Sequence, residues 1–198
     1  MFRLLESIRL HNGHFHRLNY HQQRMDQSVN ELFDQKNLIN LFENLKNVNP
    51  PPTGLYKCRV VYSTHIESVE FIPYAIKPVN RLKAVYEPEI EYSHKFADRT
   101  KLNALYNQRQ SCDDILIIKN GLVTDASYSN IVFYDGVNRI TPDTPLLKGT
   151  MRQFLLDTAA IQAAPVPVRD ISSFKSFRLI NSMLAFDGPE IDVSKIVL

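Results

Sequence analysis

The chain has 198 residues, 44% of them hydrophobic, which is enough for one large domain or two small ones with cores of their own and too apolar for a disordered chain. Its 23 basic and 21 acidic residues leave a net charge of +2, and the basic residues are scattered, so nothing argues electrostatically for nucleic-acid binding. Apolar runs such as Ile115 to Ile118 fall far short of the roughly 20 residues that cross a bilayer, so no membrane role is expected. Glu6 interrupts what would be the apolar stretch of a secretory leader, and the two cysteines, Cys58 and Cys112, form no CxxC or CxxH pair. A reducing cytoplasm is the expectation, with neither a disulfide framework nor a zinc site. His11, His14 and His16 flank a turn and lack a third carboxylate or thiolate at ligand spacing, so no metal is expected there.

Leu4 to Leu10, Asn12-Gly13 and His14 to Leu18 read as two short strands joined by a type I′ turn, because Asn-Gly accepts the positive φ angles such a turn needs. The spacing of Met25, Val29, Leu32 and Phe33, then of Leu38, Leu41, Phe42 and Leu45, predicts two amphipathic helices separated by a polar break. Asn49-Pro50-Pro51-Pro52-Thr53-Gly54 cannot continue a helix and predicts a loop. Leu55 to Ser63, Ser68 to Ala75 and Leu82 to Tyr86 read as strands, giving the first hundred residues the character of an α+β domain with an antiparallel sheet. A helix from Lys101 to about Arg109 precedes strands at Ile115 to Lys119, Leu122 to Thr124 and Asn130 to Tyr134, with Asn120-Gly121 as a turn. Met151, Phe154, Leu155, Thr158 and Ile161 describe one more amphipathic helix, and the tail alternates again from Arg178 to Met183 and ends in Ile196-Val197-Leu198. No repeat or long linker is visible, so any boundary near Val79 to Tyr92 must be short.

Three stretches carry chemistry in a fixed order. Lys101-Leu102-Asn103 offers an amine that can form an imine. Thr124-Asp125-Ala126-Ser127-Tyr128-Ser129-Asn130 offers a carboxylate among small polar residues. Lys148-Gly149-Thr150-Met151-Arg152 offers a glycine before a helix, whose opening N–H groups and dipole suit a dianion. Pyridoxal phosphate has the complementary aldehyde, ring nitrogen and phosphate. Taken singly, Lys101 is a surface charge, Asp125 a turn aspartate and Gly149 an ordinary helix start. Together with Leu5-Glu6-Ser7-Ile8-Arg9-Leu10 and His21-Gln22-Gln23-Arg24-Met25, they resemble the class IV aminotransferases, the pyridoxal-phosphate enzymes of fold type IV. That family includes branched-chain and D-amino-acid aminotransferases and 4-amino-4-deoxychorismate lyase.

The resemblance implies a two-domain α+β architecture, N-terminally short. Residues 1–80 would form a small α+β domain and 93–198 a larger cofactor-binding domain with a barrel-like sheet, with 81–92 as the connection. Relatives usually begin with a further segment carrying a Ser-Asp-Arg-Gly turn and a Tyr-Gly-Asp-Gly motif, and this chain starts after them. Lys101 would be the imine-forming catalytic lysine, which must present a neutral amine and can then shuttle a substrate proton. Asp125 would hold the ring nitrogen protonated, making the ring an electron sink. It stands where the family usually has glutamate in a Thr-Glu-x-Ser pattern. Ser127 matches a small polar residue near the cofactor. Arg24, the Gly149, Thr150 and Met151 segment and Ser182 would hold the phosphate, Arg24 through its planar fork. Arg59, on a strand face with Lys57 and Val61, together with Tyr106 and Asn181, would meet a small amino-acid-like substrate. Lys-Leu-Asn and Met151-Arg152-Gln153-Phe154 look closest to the lyase branch, which yields p-aminobenzoate and pyruvate and belongs to folate biosynthesis. Tyr106 matches the branched-chain branch. A branched-chain or D-amino-acid transaminase, and a cofactor-binding homologue without turnover, therefore stay open. The family also implies a homodimer.

Overall fold

The computed structural model describes residues 2–184, 186 and 188–198 and divides the chain into two compact units. The first comprises Met1–Ile76 and His94–Asp98, the second Lys77–Ser93 and Arg99–Leu198. Among the described residues no helix is long and apolar enough to cross a membrane.

In the first unit, β1 (Leu4–His11), β2 (His14–Phe15), β3 (Leu55–Tyr62) and β4 (Ile66–Pro73) form an antiparallel sheet in the order β2-β1-β3-β4. The β1–β2 turn has Asn12 and Gly13 at φ 49° and 78°, as its Asn-Gly sequence demands. Asn12 also accepts the Gly54 N–H on its side chain at 2.9 Å, which ties the turn to the end of the proline loop. β1 alternates strictly: Leu4, Glu6, Ile8 and Leu10 are buried and the residues between them are not. That period of two gives the sheet one dry face. Onto it pack α1 (Leu18–Phe33) and α2 (Leu41–Lys46), whose Met25, Val29, Leu41 and Leu45 meet Leu4, Ile8, Cys58, Val60 and Tyr62. Fully burying such side chains stabilises by roughly 1.5–3 kcal/mol each. The segment His94–Asp98 joins this unit through hydrogen bonds from Leu5 N–H to the Lys95 carbonyl and from Ala97 N–H to the Arg3 carbonyl, at 2.9 and 2.8 Å.

The second unit contains β5 (Leu82–Tyr86), α3 (Thr100–Tyr106), β6 (Asp114–Lys119), β7 (Leu122–Ala126), β8 (Asn130–Tyr134), β9 (Arg139–Pro142), α4 (Thr150–Asp157), β10 (Gln162–Ala164), β11 (Ser176–Ile180), β12 (Ile191–Asp192) and β13 (Ile196–Val197). They make two sheets, β13-β5-β6-β7 and β10-β9-β8-β11-β12. Leu82, Ala84, Leu116, Ile118 and Val123 of one sheet share a core with Ile131, Phe133, Phe177 and Leu179 of the other. On β8 the intervening Val132 turns the other way and packs with Ile180 against Met151 and Leu155 of α4. β8 is thus covered on both faces, which is why nearly all of its residues are buried.

The structure corrects one element of the sequence reading. Leu82–Tyr86, grouped above with the antiparallel strands of the first half, pairs in parallel with β6 and with β13. The predicted helix from Lys101 to Arg109 is α3 closed by a 3₁₀ turn at Asn107–Arg109, and the helix after Gly149 ends at Asp157.

Candidate active site

The turn between β7 and β8 is the hub of the second unit's polar interior. Thr124, Asp125, Ser127, Ser129 and Asn130 are all buried there, whereas Tyr128 reaches the surface. Asp125 keeps both carboxylate oxygens engaged. Oδ1 accepts from Asn130 Nδ2 at 2.7 Å, and Oδ2 accepts from the Leu147 N–H at 2.9 Å. Burial pushes its carboxyl up to about 6, against the opposing pull of the Leu147 amide, Asn130 and the Arg152 guanidinium. A buried carboxylate in that condition gains from any cationic group brought against it.

Gly149 caps α4 from the outside with φ −68° and ψ 144°, a conformation any residue can adopt. Its need for glycine is spatial. A Cβ there would lie 2.1 Å from Asn130 Oδ1. With no side chain at position 149, nothing on that residue caps the first turn of α4. Thr150 and Met151 are 4% and 3% exposed, and the Met151 side chain belongs to the core beneath α4, so Met151 can serve a ligand only through its backbone N–H. Arg152 is buried beside them and donates to the Pro142 carbonyl at 2.9 Å.

Lys101 is exposed on the first turn of α3, while Leu102 and Leu105 anchor the helix. Arg99, just before the helix, donates from its guanidinium to the Ser127 carbonyl at 2.7 Å. The start of the lysine's helix is thereby fastened to the Asp125 turn. Below the same turn, Asp114 is fully buried, and burial raises its carboxyl while Ser127 and Arg99 oppose the rise. Asn181 closes the ring of contacts by donating to Ser129 Oγ at 2.9 Å and accepting the Met183 and Leu184 N–H groups, which shapes the turn that carries Ser182. Tyr106, at the far end of α3, carries the Arg109 guanidinium 4.2 Å above its ring.

The second unit therefore ties the 125–130 turn directly to α3, to the approach to α4 and to the Asn181 turn. Arg24 and Arg59 belong to the first unit. Arg24 Nε donates to Glu6 Oε1 at 2.9 Å and its Nη2 to Glu6 Oε2, which also meets His21 Nδ1 at 2.6 Å. Burial alone would raise the Glu6 carboxyl, but the Arg24 guanidinium and His21 outweigh it and hold the group down at about 2. Burial lowers His21, so its neutral ring donates to the carboxylate. Arg59 pairs with Glu70 at 3.2 Å across β3 and β4. Asp114 and the Leu147 amide escaped sequence reasoning, because nothing in their local pattern separates them from strand start and loop, and Arg99 was legible only as part of the Asp98-Arg99-Thr100 stretch before Lys101, with no role of its own.

Comparison with known proteins gives this architecture its family. The model of amino-transferase class IV matches residues 3–186, and the chain belongs to that family, whose members are pyridoxal-phosphate-dependent enzymes acting on small amino-acid substrates. An uncharacterised protein of Haemophilus influenzae is 37% identical over 185 residues, 92% of this chain and 98% of its own. A candidate 4-amino-4-deoxychorismate lyase from Haemophilus somnus, known as a crystal structure, is 36% identical, with a TM-score of 0.85, covering 92% of this chain and 97% of the other. The pyridoxal-phosphate-bound form of a hypothetical aminotransferase from Mycobacterium tuberculosis shares the fold at a TM-score of 0.76 and 18% identity, over 92% of this chain and 78% of that one.

The residues at the hub fit such a cofactor. Asp125 is a buried carboxylate whose raised carboxyl calls for a cation such as a protonated ring nitrogen. The opening of α4 is backbone without a capping side chain at Gly149, as a phosphate requires. Lys101 is exposed on a helix fastened to the same turn.

Proposed function

We propose that this chain is a pyridoxal-phosphate enzyme of the 4-amino-4-deoxychorismate lyase type, converting aminodeoxychorismate to p-aminobenzoate and pyruvate. The observation that carries the reading is the convergence on one turn of the Lys101 helix through Arg99, the buried Asp125, and the loop leading into Gly149. The lyase branch is supported by the 36% identity to the candidate lyase over 92% of the chain, and by Lys101-Leu102-Asn103 and Met151-Arg152-Gln153-Phe154.

In this proposal Asp125 would hold the ring nitrogen protonated, and the backbone N–H groups at Gly149, Thr150 and Met151, with Ser127 and Ser182, would hold the phosphate and its surroundings. The bound cofactor supplies an electron sink for a carbanion at the carbon bearing the substrate amine. Lys101 Nζ would remove the proton from that carbon. Tyr106 and Asn181 would contact the substrate. Expulsion of the three-carbon side chain as pyruvate leaves the aromatic amine, and no amino acceptor is consumed. A second reading is a transaminase, of the branched-chain type on the strength of Tyr106 or of the D-amino-acid type, with which Lys101-Leu102-Asn103 is shared; there the same proton removal is followed by release of a keto acid, and a second substrate is needed. We further propose a cytoplasmic homodimer, for which light scattering at micromolar concentration should give twice the chain mass.

Incubating the cofactor-loaded protein with aminodeoxychorismate should release p-aminobenzoate and pyruvate in equal amounts without a keto acid. A parallel panel of L- and D-amino acids with 2-oxoglutarate tests the alternative. Acceptor-dependent glutamate with no p-aminobenzoate would sink the lyase. An adduct with no product from either panel would leave a cofactor-binding homologue without turnover. Absence of a borohydride-reducible adduct at Lys101, in wild-type protein given excess cofactor, would sink the whole reading.

A further inference from the structure

Asn130 sits between the two ends of the proposed cofactor site. Its Nδ2 donates at once to Asp125 Oδ1 at 2.7 Å and to the Leu147 carbonyl at 2.8 Å. The Leu147 N–H returns to Asp125 Oδ2 at 2.9 Å, so Asp125, Asn130 and Leu147 form a closed triangle of hydrogen bonds. On its other side Asn130 Oδ1 fills the space where Gly149 would carry a Cβ, which fixes the backbone at the mouth of α4 against the same side chain. Asn130 is 6% exposed and lies at the first position of β8, a strand packed on both faces, so it has little room to reorient. Of the charged groups around Asp125, Arg152 is the cation that acts on it, itself held to Pro142.

We infer that Asn130 is a positioning residue that couples the carboxylate facing the ring nitrogen to the backbone facing the phosphate, so that neither end can move without the other. This rests on the assignment of Asp125 and Gly149 to the two ends of the cofactor. Aspartate is a methylene shorter than the family's usual glutamate, and the triangle shows how a short side chain is kept at a defined depth: it is tied to the loop that leads into the phosphate turn. The side-chain amide is required for this because it donates twice while its oxygen stays free to face Gly149. A carboxylate in its place would set an acceptor against two acceptors and compete with Asp125 for one proton.

Asn130→Asp is nearly isosteric and tests the coupling without opening a cavity. In folded protein, checked by circular dichroism, its affinity for pyridoxal phosphate in equilibrium dialysis should fall at least tenfold. The pH midpoint of the bound cofactor's visible absorbance should move by about one unit or more. A merely structural asparagine would lower the melting temperature and leave that midpoint in place, and a folded variant with wild-type affinity and midpoint overturns the inference. A measurement on the wild-type protein does not depend on any variant folding: the Asn130 side-chain amide signal in ¹⁵N NMR should shift when inorganic phosphate is added to cofactor-free protein, and again as pH passes through about 6. A signal that follows pH but ignores phosphate overturns the coupling. Failure of the underlying site reading is distinct, because wild-type protein would then form no reducible adduct at Lys101.

Discussion

Replacing Gly149 by alanine adds one methyl group at a position with unstrained backbone, so its whole effect comes from what that methyl meets. The nearest atom is Asn130 Oδ1, at 2.1 Å from the new Cβ, with Asn130 Cγ next at 3.3 Å. A surface side chain would swing aside at small cost. Asn130 is buried and held by two hydrogen bonds from Nδ2, one of them to a carboxylate, so it moves only by breaking both. Losing a charge-assisted bond costs about 1.5–3 kcal/mol and a neutral one about 1 kcal/mol, and overpacking adds about 1–3 kcal/mol where the clash is not fully relieved. We expect Gly149→Ala to lose roughly 3–5 kcal/mol of stability in the cofactor-free protein. Urea unfolding followed by far-ultraviolet circular dichroism measures this, and an unchanged m value licenses the comparison. The decisive control is Asn130→Ala, which removes the atom that is struck. In that background Gly149→Ala should cost less than about 1 kcal/mol, giving a coupling of roughly 3 kcal/mol. Equal costs in both backgrounds, or a loss under about 1 kcal/mol in the wild-type background, would refute the assignment of glycine's role to Asn130.

Asp125 holds its proton more tightly folded, at about 6, than at its ordinary value of 3.8, so its contribution is most favourable below pH 3.8 and is lost as pH rises through about 6. Between pH 4 and 7.5 the cofactor-free wild type should therefore lose roughly 2–2.5 kcal/mol relative to Asp125→Asn; parallel stability curves for the two proteins would contradict this. Glu6 runs the other way. Its carboxyl is held at about 2 against an ordinary 4.5, and that stability is present above pH 4.5 and drains away as pH falls toward 2, while protonation of the neutral His21 adds to the loss below its ordinary 6.5. Glu6→Ala removes the buried carboxylate that Arg24 and His21 both bond and should cost about 3–5 kcal/mol at pH 7 by calorimetry, with a melting temperature within a degree of wild type counting against the buried network. Arg99→Ala releases the start of α3 from Ser127 and, on the proposed function, should slow adduct formation at Lys101 at least tenfold with only a few degrees' change in melting temperature; unchanged trapping kinetics would remove Arg99 from the site.

Elements whose signal is local were readable from the sequence. The Asn12-Gly13 turn, the alternation of β1 and the helix α1 each follow from spacing and turn chemistry, and the structure has them where those signals put them, whereas of the second helix's expected apolar stripe only Leu41 and Leu45 are buried, Leu38 lying outside α2 and Leu38 and Phe42 being exposed. The parallel partnership of β5 with β6 and β13 was not readable, since Leu82 to Tyr86 looks the same whichever sheet it joins and its partners lie far along the chain. The same limit governs the site. Asp125, Gly149 and Lys101 stood out because their residue types and order match a reaction's needs. Arg99 and Asn130 were visible only as members of matching stretches and the Leu147 amide not at all, because what gives each a role is a partner brought in by folding. Gly149 was chosen in the sequence for permitting close approach, and the structure finds that approach made by a side chain of the protein itself.

β13 covers the outer edge of β5 with only two residues, Ile196 pairing with Leu82 and Val197 with Lys83, and the Lys83 ammonium adds a bond to the Leu198 carbonyl across 115 residues of chain. Without those residues this edge of β5 would present unpaired N–H and C=O groups, a template on which another chain can pair. The last few residues thus act as a guard against self-association, and trimming them should turn a well-behaved protein into one whose yield falls with its concentration during refolding.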